Sequence, residues 1–271
     1  MSERSTVLGC PIDRVDPDAV VARVERALAA KEPLSITSVT KAKLVAMQRD
    51  AELRQVVEAA DVVTAEDRGV VVASKLARGK GLPGHVGANA LMRRLLDLAA
   101  RNGHRVYILG GALDVLERAI FVAQDRYPGL DVAGHHHGYF YGTEEQAVAD
   151  EIRALAPDML FVAMPSPRKE YWLGRYGDDV GATLRMGVGE DWTDDLVPRQ
   201  QRGWREAAST QAAFAGMLAR SLTGRTDPLA DRRAADRRAN DRRRREHPTD
   251  VDRRNRDRRG RGSDQRGTGA E

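Results

Sequence analysis

Arg105-Val106-Tyr107-Ile108-Leu109-Gly110-Gly111 reads as a strand that runs into a glycine pair, and residues 113–126 behind it read as a helix stopped by Pro128-Gly129. A β-rich run, a tight glycine turn and a segment of helical periodicity make one βα unit. The alternation continues in both directions. Upstream, 5–9, 34–39 and 60–64 read as strands. The helix between the first two spans 16–30, where Asp16 can cap and Pro17 fits the first turn. Helical patterns also cover 41–48, 69–76 and 91–100. Downstream, strands at 130–133, 159–164 and 183–188 flank a helix at 144–155. Such a chain predicts an α/β fold, a Rossmann-like parallel sheet with helices on both faces. Ligands of these sheets sit beyond the carboxyl ends of the strands, so the loops there are the places to look for chemistry.

The chain has 271 residues, 41% of them hydrophobic, which is enough to bury a substantial core. Its single cysteine, Cys10, excludes an intramolecular disulfide and a four-cysteine zinc site. No apolar run reaches the length of a spanning helix. Residues 1–16 lack the apolar core of a secretory signal, which predicts a cytoplasmic location. At 5% aromatic, the chain makes a poor base-stacking platform.

The net charge of +4 conceals two unlike segments. From Arg225 onward there are 16 Arg and 10 acidic residues, a balance of +6 that leaves residues 1–224 at −2. The Arg/Asp tail has too few apolar residues to offset chain entropy and is predicted to be disordered. It reads as a solvated polyampholyte, or as a contact for an anionic membrane surface. Nucleic acid ranks behind both, because no base-reading motif accompanies the arginines. The predicted organisation is therefore an α/β domain over 1–190, a helical segment over 191–224 and a tail over 225–271. A helix at 204–222 packs on the body, on a partner or on a membrane; packing on the body is the simplest reading. Nothing in the pattern sets an oligomeric state.

Five places carry candidate chemistry, each with a plainer reading beside it. Gly110-Gly111 opens onto a helix N-terminus that can cradle a phosphate, or is an ordinary βα turn. Glu66-Asp67 follows a strand and precedes a helix: one carboxylate can serve as a general base, or both can be helix caps. His135-His136-His137 suggests a metal, but successive residues of an extended run face opposite ways and no Cys or Glu partner lies at ligand spacing. The Pro165-to-Glu170 segment places Arg168 and Lys169 where a diphosphate could bind, or forms a charged surface turn. Asp191, Asp194 and Asp195 read as a solvated loop.

In order and spacing, these features resemble the WecG/TagA/CpsF family of bacterial glycosyltransferases. The resemblance rests on VLGCPID (7–13), ADVVTAEDRGVVVASK (60–75), RVYILGG (105–111), RYPGLDVAGHHHGYF (126–140), APDMLFVAMPSPRKEYW (156–172) and GVG at Gly187–Gly189. It covers about residues 6–190. It implies a Rossmann-like sheet and an inverting enzyme at the cytoplasmic membrane face. Such an enzyme moves an N-acetylmannosamine-type sugar from a UDP donor to a lipid-linked saccharide acceptor in polysaccharide synthesis. No metal and no cofactor are implied; the UDP-sugar is the donor substrate.

The departures from the family pattern fall on the ligand loops. The family's Thr-Pro-Asn is Ser38-Val39-Thr40 here, and its Asp-Gly, whose Asp is the proposed base, is Glu66-Asp67. The Arg expected at the diphosphate is His85, which assists only when protonated. Pro-Lys-Gln-Glu is Pro167-Arg168-Lys169-Glu170, and the Phe-Asp after GVG is Trp192-Thr193. The family's arginine-bearing membrane appendage is not recognisable. The resulting assignment makes Glu66 or Asp67 catalytic. Ser38, Thr40, His85, Gly110, Gly111, Arg168, Lys169 and Glu170 then bind substrate. The competing reading is a catalytically inactive binding or scaffold protein that acts through its charged tail.

Overall fold

The computed structural model describes residues 3–76 and 80–193. The segments expected at 204–222 and 225–271 lie outside the described residues, as do Asp194 and Asp195. Six parallel strands form one sheet: β3 (Leu34–Val39), β4 (Val62–Ala65), β5 (Arg105–Leu109), β6 (Asp131–His136), β7 (Met159–Val162) and β8 (Leu184–Gly187). Their order across the sheet is β4-β3-β8-β7-β5-β6. A separate antiparallel hairpin, β1 (Arg4–Val7) and β2 (Cys10–Asp13), precedes them.

Helices cover both faces of the sheet. α1 (Pro17–Ala30), α5 (Ala88–Asn102) and α6 (Leu113–Arg126) pack on one side. Leu91, Leu95 and Leu98 of α5 recur at helical spacing and meet Val106 and Ile108 of β5 and Phe161 of β7. The alternate residues Tyr107, Leu109, Leu160 and Val162 face α7 (Thr143–Leu155) and α8 (Arg168–Tyr176), against Val148, Ile152 and Trp172. Burial on both faces explains why these strands read as continuous apolar runs. A third cluster joins the hairpin to α2 (Lys41–Ala46), α3 (Ala51–Ala59) and α4 (Arg68–Leu76) through Ile12, Leu44, Leu53, Val57, Val63 and Val70. Among the described residues, no helix is long and apolar enough to cross a membrane.

The α/β class follows the alternation in the sequence, and several local expectations are corrected. The strand expected at 5–9 is half of a hairpin, because Leu8 and Gly9 turn the chain with φ of 49° and 79°. That hairpin shields the edge strand β4. The buried Asp13 accepts a hydrogen bond from the Val63 amide at 2.8 Å and pairs with Arg4 at 3.2 Å, so the exposed-edge liability of β4 is met by a side chain. α3 was not expected; Asp50 caps it by accepting from Leu53 N at 2.9 Å. The Pro165-to-Glu170 segment divides: Ser166 and Pro167 turn the chain, and Arg168 to Glu170 open α8. A 3-10 turn, Glu190–Thr193, follows β8 and carries Trp192 into the first core cluster.

Candidate active site at the carboxyl edge of the sheet

From β5 the chain moves outward to β6, whereas from β7 it moves the opposite way to β8. The loops after β5 and β7 therefore diverge, and this reversal is where open α/β sheets form a crevice. Gly110 and Gly111 lie on its floor with φ of 126° and 84°. Gly110 donates from its amide to His136 O at 2.8 Å, and Gly138 donates to Gly111 O at 2.9 Å. This lacing places the glycine turn against the end of β6. α6 starts just beyond it, with Ala112 at the cap position and no side-chain cap, so its first-turn N–H groups are left to a ligand or solvent.

Arg168 and Lys169 open α8 and diverge. The guanidinium of Arg168 donates to Gly138 O and Phe140 O and stacks on the Tyr141 ring at 4.2 Å. It clamps the loop after β6 with two of its five N–H donors. Lys169, the next residue, points elsewhere: its stem lies over Gly187 at the end of β8. Its surroundings are Lys43, Glu170, Glu66 and Asp191. Burial first, and Lys43 next, hold the Lys169 ammonium below the usual lysine range.

A second group of residues closes the edge at β3, β4 and β8. Lys43 of α2 is buried and reaches Glu170 Oε1 at 2.7 Å and Ser38 O at 2.5 Å. The other Glu170 oxygen accepts from Ser166 Oγ at 2.9 Å. Burial pulls the Glu170 pKa upward, but Lys43, Lys169 and the two hydrogen bonds outweigh it and hold the carboxyl below its usual range. Ser38 is buried with its hydroxyl 2.9 Å from that of Thr64, and Thr40 caps α2 by accepting from Lys43 N at 3.0 Å. Both hydroxyls thus have structural partners.

Glu66 and Asp67 stand at the end of β4. Both Glu66 oxygens accept from Ala88 N, at 3.1 and 2.9 Å, which anchors the start of α5. Asp67 accepts from Val70 N at 3.2 Å and from Lys41 N at 3.3 Å. The capping geometry weighed for this pair is therefore present. It does not exclude proton transfer, because a carboxylate has about four lone-pair sites and the amides use only some of them. His85 is exposed on the loop ahead of α5. His135 and His136 end β6; His136 Nδ1 lies 2.8 Å from His137 O, and His137 Nδ1 accepts from Tyr139 N at 3.2 Å.

The fold thus gathers Glu66, Lys169 and Glu170 at one end of the carboxyl edge and Gly110, Gly111 and Arg168 at the other. A cavity of about 450 Å³ lies elsewhere, on the sheet face between α3 and α8, and of these residues only Glu170 lines it. We place the chemistry at the edge because the titratable groups converge there. Sequence reading missed Lys43, whose burial is invisible in a charged helix, and Asn89, which accepts from Gly189 N at 3.3 Å and ties α5 to the end of β8.

Comparison with known proteins gives a consistent picture. Residues 5–191 match the model of the glycosyl transferase WecG/TagA/CpsF family. A protein of Staphylococcus aureus (strain NCTC 8325 / PS 47), an N-acetylglucosaminyldiphosphoundecaprenol N-acetyl-beta-D-mannosaminyltransferase, is 33% identical over 135 residues, covering 50% of this chain and 52% of its own. A protein of the same name from Bacillus spizizenii (strain ATCC 23059 / NRRL B-14472 / W23) is 34% identical over 134 residues, with 49% and 51% covered. The chain spans about half the length of the curated relatives it matches.

Proposed function

The chain belongs to the glycosyl transferase WecG/TagA/CpsF family, and on that premise we propose that it transfers an N-acetylmannosamine-like sugar from a UDP donor to a lipid-linked saccharide in cell-surface polysaccharide synthesis. The observation that carries the reading is the extent of the match, 5–191. It runs from the hairpin to the 3-10 turn and so takes in every loop of the carboxyl edge.

In this reading the donor diphosphate lies against Gly110-Gly111 and the N-terminus of α6, where backbone N–H groups and the helix dipole favour negative charge. An acceptor hydroxyl attacks the anomeric carbon from the side opposite the leaving group. The new C–O bond forms as the bond to the β-phosphate oxygen breaks, UDP departs, and the configuration inverts. The hydroxyl proton passes to Glu66, or to Asp67 beside it. Because the acceptor is lipid-linked, the reaction takes place at the cytoplasmic membrane face, with the protein in peripheral contact.

Two measurements test this. Saturating UDP, at about 100 times its Kd, adds about 2.7 kcal/mol of stability. That corresponds to a rise of roughly 5–10 °C in the midpoint of a domain this size, and a UDP-sugar panel read the same way identifies the donor. Absence of a shift with every nucleotide would remove the donor site. The second is Glu66→Gln. Glutamine keeps an oxygen to accept from Ala88 N, so the fold should survive, while loss of the base lowers turnover by about 10²–10⁴-fold with UDP binding nearly unchanged. Equal turnover would move the base to Asp67.

A further inference from the structure

Between α3 and α8 the sheet is left partly uncovered. The helices touch at Gly174, where a Cβ would lie 2.6 Å from Val56 Cγ2, yet a groove of about 450 Å³ remains, with β3 and β8 as its floor. That volume falls among small-molecule sites, roughly 300–1,000 Å³. The groove runs along the sheet face, and β7 separates β8 from the glycine turn after β5. β8 is an inner strand, where apolar residues are the rule, but Arg185 lies on its groove side and is only 8% exposed. One nitrogen, Nη1, donates to Gly177 O at 2.9 Å and to Asp178 Oδ1. Nε is buried without a partner, and Nη2 makes no hydrogen bond among the described residues. The Nε–Nη2 edge, the side of a guanidinium that can hold two oxygens at once, is thus unused. The Thr37 hydroxyl on β3 also lines the groove and has no partner among the described residues.

Charge selects the class of ligand. Arg185 is matched by Asp178, Glu170 by Lys43 at 2.7 Å and Arg175 by Glu145 at 3.3 Å. Glu52 has no ion pair among the described residues, so an anion in the groove would meet a carboxylate and no spare cation. A neutral ligand with several hydroxyls suits the same walls. Two neighbouring hydroxyl oxygens accept from the guanidinium edge, and others exchange hydrogen bonds with Thr37, Gln55 and Glu52. The Tyr171 ring adds an apolar side. A buried donor left without an acceptor costs stability, which a ligand oxygen restores. The geometry points to this groove as a saccharide-binding site apart from the carboxyl edge, one that takes a neutral mono- or disaccharide. It stands independently of the donor reading given above.

The test titrates the full chain calorimetrically with glucose, N-acetylglucosamine and their β-1,4-linked disaccharides, and with inorganic phosphate and benzoate as anions. The variants are Arg185→Lys, Thr37→Val and Ala59→Trp. Lysine keeps a cation for Gly177 O and Asp178 but lacks the two-donor edge, and losing hydrogen bonds from a charged group weakens saccharide binding by about 10–100-fold. Valine removes one neutral hydroxyl, a loss of about 2–10-fold. Ala59 is an exposed wall residue at the end of α3, so tryptophan there fills the groove and abolishes binding without disturbing the core. UDP affinity should stay at the wild-type value in all three variants. If Arg185→Lys does not fold, Thr37→Val and Ala59→Trp decide. The proposal falls if wild type takes up none of the saccharides, or takes up phosphate or benzoate in their place. It falls equally if UDP displaces the saccharide, or if Thr37→Val and Ala59→Trp bind it as wild type does. Failure of wild type to bind UDP would remove the donor reading and leave this one standing.

Discussion

Alanine at Gly110 is expected to lower the unfolding midpoint of the full chain by about 10 °C, far more than alanine at its neighbour Gly111. The difference is geometric. A Cβ on Gly110 would lie 2.5 Å from the Ala163 carbonyl carbon and closer still to its oxygen, so it would strike the backbone of β7's continuation, which cannot rotate aside. Its φ of 126° is also one that side-chain-bearing residues rarely adopt. Overpacking costs about 1–3 kcal/mol and a strained backbone residue about 1–3 kcal/mol, so about 4 kcal/mol is expected, at about 2–4 °C per kcal/mol for a domain this size. Gly111 has nothing within 4 Å of its would-be Cβ. Only its φ of 84° resists substitution, at about 1–2 kcal/mol. Thermal melts of the two variants, followed by circular dichroism, check the contrast. Equal losses would mean that Ala163 and the β5 turn are not in the close approach described. The result bears on function because the same turn sets the direction of α6's free N–H groups.

The parts of the fold that the sequence revealed are those where local and tertiary requirements coincide. Arg105–Leu109 is a run of strand formers that the fold buries on both faces, and Asp16 caps α1 by accepting from Ala19 N at 2.8 Å. The parts it concealed are those where tertiary contacts override local pattern. In α8, Lys169 and Glu170 look like surface residues, yet both are buried, and the apolar face of Trp172 and Leu173 is hidden between charges. In α3, Arg54 is buried because its guanidinium reaches Gly9 O at 2.8 Å and Glu58 at 2.5 Å. A one-dimensional reading counts it as solvent-facing. The candidate site divides in the same way. Gly110-Gly111 and Glu66-Asp67 announce themselves by following strands. The separation of Arg168 from Lys169 could not be read, because adjacent residues opening a helix diverge in direction only once the helix is known to start there. Tyr171 shows the same effect: its hydroxyl donates to Asp50 and is pushed up to about 12, chiefly by that bond, which ties α8 to α3.

Removing the Glu170 carboxylate is expected to destabilise the protein by about 3–5 kcal/mol, the cost of leaving a buried partner charge uncompensated. Lys43 and Glu170 have side chains only 5% and 3% exposed at an N–O distance of 2.7 Å. Glu170→Leu strands the Lys43 ammonium beside Lys169, so two buried cations then face each other without the carboxylate that pairs with Lys43. Lys43→Met strands Glu170 instead, but Lys169 and the Ser166 hydroxyl remain to hold it, and the loss should be smaller. The double variant replaces both charges by apolar groups and should recover most of the stability, since buried ion pairs exchange for hydrophobic contacts at little net cost. A double-mutant cycle by urea denaturation measures the coupling. Additive losses would show that the pair is not a unit. The pH dependence supplies an independent check. A carboxyl held below its ordinary pKa contributes stability that is fully present above the unfolded value of about 4.3 and is lost as pH falls through the folded value. Wild type should therefore lose stability on acidification below about pH 4.3 more steeply than Glu170→Leu. Because the same ion pair fixes α2 against α8, it sets where Lys169 stands above β8. Loss of nucleotide affinity in Glu170→Leu beyond that caused by unfolding would show that the buried pair also shapes the candidate site.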